Sequence, residues 1–243
     1  MYPINILKTL FVPGLWFNPD GPIGEKLQER FERLTVLRHC GMDLKSRVKN
    51  LKENIHPTDE TTIVGHSAGC VVILEAMKEL PAEHNIKNII LMNPAPVKGI
   101  KFGFKDELFW KMMYPPYVAA MMFGKKFELT PTHVGQLLSI QKEKLPAVCE
   151  NFTPDSGKFA RELVLNQFKQ KERITIPKNI KLSVLESEGD MMIGSTIKQT
   201  IHHLRLHNSG RVTTTVRVGG HLWALQNAKE VVDYFAPLQP ALS

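Results

Sequence analysis

Cysteine is scarce in this chain, and what there is does not pair. Cys40, Cys70 and Cys149 are odd in number and far apart, which gives neither a disulfide framework nor the spacing of metal ligands. They read as buried free thiols of a reducing compartment, so the expected location is cytoplasmic. Long apolar runs are missing too: none approaches the roughly 18 residues of a spanning helix. The apolar N-terminus carries Lys8 in its middle and has no small-residue cleavage site after it, so it reads as a first strand rather than a signal peptide. There is no H-E-x-x-H, no paired Cys or His at ligand spacing and no dinucleotide fingerprint. No metal and no cofactor is therefore expected. The net charge is +7, but no five basic residues are consecutive. That distribution is a solvated surface rather than a nucleic-acid footprint, and it leaves room only for weak association with a membrane surface.

What is present is ordinary material for one domain of 243 residues, 43% apolar and 23% charged. The informative stretch is Thr61-Thr62-Ile63-Val64-Gly65-His66-Ser67-Ala68-Gly69-Cys70. A short run rich in β-branched residues reads as a buried strand. It enters Gly65-x-Ser67-x-Gly69 and continues as a helical run from Val71 to Leu80, stopped by Pro81. Strand, G-x-S-x-G, helix is the context of a nucleophile elbow. The serine sits on a turn too sharp for side chains at the two flanking glycines. The following helix points its positive end at the hydroxyl.

With these residues the sequence resembles the α/β-hydrolase superfamily. The rest of the chain follows that plan. Strands are expected at 7–12, 34–37, 61–66 and 88–93, with helices at 24–33 and, opened by Asp43 as N-cap, through Ile55. Alternation of this kind implies a mostly parallel sheet of about six strands covered by helices. It breaks from about Val97 to Ile176, where no convincing strand is seen, while 130–145 and 156–170 look helical. Alternation resumes with a strand at 181–186, a helix at 194–207, a strand at 211–218 and a final helix at 222–235. The expected organisation is a core of residues 1–96 and 177–243 with a helical insertion at 97–176. The resemblance implies that this insertion is a cap.

A serine hydroxyl needs a histidine to take its proton and a carboxylate to orient that histidine. In this fold the chain order is serine, acid, histidine. Ser67, Asp190 and His221 satisfy the order and each follows a strand. Glu188 is the reserve acid. Of the other histidines, His66 adjoins the serine in sequence but is read as pointing to the other side of the turn. His202, His203 and His207 are read as surface residues of a helix. Oxyanion donors are expected at the backbone N–H of Ala68 and of Leu15, with Trp16 as the alternative, since Pro13-Gly14 stands where the superfamily often has a histidine-glycine pair. Trp16, His66, Phe109, Trp110, Met113 and Leu222 are the expected substrate contacts, because the Met- and aromatic-rich stretch 102–123 suits an apolar ligand. The expected activity is that of a serine esterase, carboxylesterase- or lipase-like, on an apolar ester. A thioesterase, a C–C or amide hydrolase, and a small-molecule receptor with a slow triad stay open. Oligomeric state is not legible.

Overall fold

The β-branched runs form strands that align their carboxyl ends. The computed structural model describes residues 8–235, apart from 31–32, 40, 81–83, 104, 107–109, 111, 139–141 and 209–211. Its strands are β1 (Lys8–Val12), β2 (Leu34–Val36), β3 (Thr61–His66), β4 (Ile86–Met92), β5 (Lys126–Phe127), β6 (Asp155–Ser156), β7 (Lys181–Ser187) and β8 (Val212–Arg217). Among the described residues, six of them make one sheet in the order β2-β1-β3-β4-β7-β8. Every pairing in it is parallel. The register sets Val12 beside Gly65, His66 beside Met92, and Met92 beside Leu185. In an open parallel sheet, the crevice beyond these carboxyl ends is where ligands bind.

Strand residues alternate between two cores. Leu10, Val12, Ile63, Ile89, Leu91 and Val184 face one cluster, and Phe11, Val64, Ile90, Met92 and Leu185 face the other. Both faces are buried, which is why the central strands read as continuous apolar runs. The helices of the alternating part are α1 (Pro22–Arg30), α2 (Leu44–Glu53) and α3 (Ala68–Ala76). Asp43 caps α2 by accepting the Ser46 N–H at 2.8 Å. Helix α3 is apolar all round and almost wholly buried, as a helix at the centre of a domain must be.

Residues 97–176 contribute α4 (Pro115–Phe123), α5 (Pro131–Leu138), α6 (Leu145–Cys149) and α7 (Gly157–Asn166). They are not free of strand. The two-residue strands β5 and β6 pair antiparallel, with Lys126 opposite Ser156 and Phe127 opposite Asp155. Strands that short leave no period-2 signature. Of the helix expected over 130–145, Pro131–Leu138 is helical, residues 139–141 lie outside the described residues, Lys142–Lys144 is a 3-10 turn, and α6 starts at Leu145 with Pro146 in its first turn. After β7 come α8 (Gly194–His207), then α9 (Trp223–Gln226) and α10 (Ala228–Phe235) in place of one final helix. Of the histidines in α8, His203 is buried rather than at the surface. Its Nε2 donates to the Glu172 carbonyl at 2.8 Å.

Candidate active site

Among the described residues, three non-glycine residues have positive φ, and each stands just beyond the carboxyl end of one of three adjacent strands. They are Trp16 after β1 (φ 60°), Ser67 after β3 (φ 52°) and Asn93 after β4 (φ 44°). Strained backbone of this kind persists only where the surroundings enforce it, and it collects at functional sites.

Ser67 is held by its own N–H, which donates to the Met92 carbonyl at 2.9 Å, and by its carbonyl, which accepts from Cys70 and Ala95 at 3.1 Å each. A Cβ at Gly69 would lie 2.0 Å from the Val12 carbonyl oxygen, and one at Gly65 would lie 2.5 Å from Ile73 Cδ1. The two glycines let β1 and α3 close on the turn. Among the described residues the Ala68 N–H has no acceptor, as expected at a helix start. It opens α3, whose positive end faces the serine.

The loop after β8 carries His221. Its Nδ1 is 2.7 Å from Asp190 Oδ2, with both side chains buried. The other oxygen, Oδ1, accepts the N–H groups of Met192 (2.9 Å) and Ile193 (3.2 Å). Burial alone would raise the Asp190 pKa. The charge of His221, its hydrogen bond and the backbone N–H of Ile193 outweigh that and hold it below the usual carboxylate value. An ionised acceptor at Nδ1 fixes the imidazole tautomer, leaving the lone pair on Nε2. Glu188 is exposed and Glu186 faces Lys198 at 4.0 Å, so Asp190 is the carboxylate that meets the histidine. Ser67 and His221 line one cavity, although no hydrogen bond between them is formed in this conformation. Such bonds are often loose before substrate binds.

His66 does not turn away from the site. It lines the same cavity, its ring centroid lies 4.7 Å from that of His221, and its Nε2 donates to the His221 carbonyl at 3.0 Å. The alternation along β3 ends at residue 66, and the tight turn brings both neighbours to the sheet's end. Burial, then the charge of His221, pushes the His66 pKa down to about 3, so the ring is neutral. Asn93 shares the task, donating to the His221 carbonyl at 3.1 Å and to Ser187 Oγ at 3.0 Å. Nothing in the sequence marked Asn93 except its place at a strand end.

The Pro13–Trp16 loop lies against the serine. A Cβ at Gly14 would be 2.9 Å from Ser67 Cβ. The Leu15 N–H has no acceptor among the described residues. The alternative donor is excluded: the Trp16 N–H already donates to Asp155 Oδ2 at 3.0 Å. The Leu15 and Ala68 N–H groups thus both stand without an acceptor among the described residues.

Trp16, His66 and Leu222 line the cavity as expected, while Trp110 and Met113 do not. Both of these are half exposed, and the residue between them that turns inward is Met112. Phe109 lies outside the described residues. The sequence reading missed Phe102, Met112, Leu129, Leu163 and Met192, which make the wall apolar. A stretch with apolar residues on every side gives no period from which to choose the inward face. The free volume is about 40 Å³, and an adjoining groove of about 390 Å³ shares Ile23, Asn151, Leu222 and Leu225 with it. Among the described residues no three His, Cys, Asp or Glu side chains cluster as metal ligands. No helix among them is long and apolar enough to cross a membrane.

Similarity to known proteins agrees with this geometry. The model of a family described as serine hydrolase matches residues 23–123, less than half of the chain, a span that includes Ser67. An extracellular α/β-hydrolase from a Paenibacillus species superposes with a TM-score of 0.66 at 14% identity, over 96% of this chain and 100% of that one. The chain has the α/β-hydrolase fold. A lipase-esterase related protein from Clostridium acetobutylicum (TM-score 0.61, 15% identity, 94% of this chain and 92% of that one) shares it. So does a monoacylglycerol lipase from Paleococcus ferrophilus (TM-score 0.60, 17% identity, 93% of each chain). No curated protein sequence matches the chain.

Proposed function

We propose that this α/β-hydrolase is a serine esterase that cleaves a carboxylic ester of an apolar acyl group through an acyl-enzyme. One observation carries the reading: a strained Ser67 and His221 line the same apolar cavity, and His221 Nδ1 is 2.7 Å from Asp190 behind it. Ser67 Oγ attacks the ester carbonyl while His221 Nε2 takes its proton, and Asp190 stabilises the imidazolium. The Ala68 and Leu15 N–H groups bind the oxyanion, each worth about 3 kcal/mol in the transition state. His221 returns the proton to the departing alcohol. Water then enters by the same route and releases the acid. The reaction calls for no cofactor.

Residues 97–176 act as a cap. They supply Phe102, Met112, Leu129, Val134, Leu163 and Val164 to the wall. With only about 40 Å³ free beside the serine, an acyl chain enters by displacing side chains, and Met112 and Met192 are suited to that adjustment. The small free space also favours one rival, a small-molecule receptor that turns over slowly. Hydrolysis of a chain-length series of p-nitrophenyl esters by wild type and Ser67→Ala separates them. The esterase shows sustained, serine-dependent turnover with an optimum length. One stoichiometric burst that stalls supports the receptor.

A further inference from the structure

Asp155 is a buried carboxylate that the reaction above does not use. It stands in β6, far in sequence from Trp16 and Ser67, and is 1% exposed. Its Oδ2 accepts the Trp16 N–H at 3.0 Å. Its Oδ1 accepts the N–H groups of Gly41 at 3.1 Å and Ser156 at 2.6 Å, together with the guanidinium of Arg47. Arg47 is itself fully buried, donates from Nε to the Met42 carbonyl at 3.0 Å and lies 3.9 Å over the Phe159 ring. The Trp16 carbonyl is taken from the same side, by the Thr153 N–H at 2.8 Å.

The Leu15 N–H is thereby fixed from both ends. On one side Gly14 is wedged against Ser67; on the other the Trp16 peptide is clamped at positive φ by β6 and the residues before it. A non-glycine residue at φ 60° relaxes unless something holds it. We infer that Asp155, neutralised by Arg47, is a positioning residue that sets the oxyanion donor at Leu15. The segment over the cavity then does more than cover it: it completes the transition-state site. The inference rests on the esterase reading.

The test compares three variants with wild type on one p-nitrophenyl ester, with rates referred to active sites titrated by a fluorophosphonate so that only folded molecules count. Arg47→Met leaves a buried carboxylate without its counter-ion but keeps the Trp16 bond. Arg47→Met/Asp155→Leu removes both charges, a replacement that buried pairs often tolerate, and loses the bond. Arg47→Met/Asp155→Asn removes both charges and keeps a side-chain oxygen for Trp16. The leucine variant should lose about 10- to 100-fold in kcat at nearly unchanged KM, with a parallel loss in affinity for a boronic acid that forms the tetrahedral adduct. Arg47→Met should have the lowest melting temperature yet keep kcat within about threefold, and the asparagine variant should recover most of the leucine variant's loss. Wild-type kcat in the leucine variant, or kcat that simply ranks with melting temperature, overturns the inference. If the leucine variant gives no titratable sites, the asparagine variant decides, and a loss beyond about tenfold in its kcat at unchanged KM overturns it. Absence of Ser67-dependent turnover in wild type would instead overturn the esterase reading itself.

Discussion

Replacing Gly14 by alanine tests the contact between the Pro13–Trp16 loop and the nucleophile with a single methyl group. The Gly14 backbone is not in the left-handed region, so alanine adopts it without strain. Its Cβ would stand 2.9 Å from Ser67 Cβ and 3.2 Å from the His66 carbonyl oxygen, where ordinary contact begins at 3.4 Å. Loop and serine must therefore part by about 0.5 Å, enough to stretch a hydrogen bond of roughly 2.9 Å to the edge of usefulness. The folded state absorbs so small a shift at about 1 kcal/mol or less, because it falls at the rim of the core. The transition state does not, since the Leu15 donor is aimed at an oxyanion bonded to Ser67. We expect kcat to fall about 10- to 100-fold, equivalent to 1.4–2.7 kcal/mol, with KM little changed. Ester kinetics beside a urea unfolding curve measure both quantities. Wild-type kcat in a folded variant would refute the donor assignment. A raised KM at unchanged kcat would show that the methyl group blocks the cavity instead.

Four further outcomes follow from the same contacts. Asp190→Asn should lower kcat by about 10⁴-fold, because the amide cannot hold the tautomer that Asp190 imposes on His221; a loss of this size in Glu188→Gln instead would reassign the acid. Gly69→Ala should destabilise the fold rather than the chemistry, since its Cβ would meet the Val12 and Pro13 carbonyl oxygens at 2.0 and 2.6 Å; an unchanged melting temperature contradicts the close approach of α3 to β1. Met112→Ala should lengthen the preferred acyl chain while Trp110→Ala leaves the preference alone, and the reverse pattern would place the pocket elsewhere. Burial pushes the pKa of His39 and of His66 down to about 3, with the charge of Arg47 adding to the effect at His39. Folding favours both neutral rings, so their stabilisation is complete above about pH 6.5 and is lost as pH falls toward 3. Protonating either ring in the folded protein costs on the order of several kcal/mol, felt only as pH falls below about 6.5. The urea midpoint should drop steeply over that window and less steeply in His66→Gln, and an identical slope in the two proteins would refute it.

The parts of this molecule legible in its sequence are those that local spacing dictates. The elbow, Asp190 and His221 each follow a strand whose β-branched residues announce it, and the chain order of the fold places them. Asp43 advertised α2 because a cap acts on its own first turn. What escaped depends on contacts between segments distant in the chain. Asp155 looks like a loop acid until β5 and β6 pair and carry it to Trp16 and Arg47. Trp110 and Met113 were expected at the substrate in place of Met112, because a stretch apolar on every side carries no phase. His66 was assigned to the wrong side because the strand's alternation stops at the turn that positions it. His203 was expected at the surface because its neighbours in α8 are polar, whereas the Glu172 carbonyl supplies a buried partner.

The central claim is that Ser67 is the nucleophile and His221 its base. Peptide mass spectrometry after exposure to a fluorophosphonate tests it most directly. The account predicts one adduct on Ser67, absent from Ser67→Ala and formed orders of magnitude more slowly in His221→Ala. No adduct in the folded wild type, or an adduct on another residue, would contradict it.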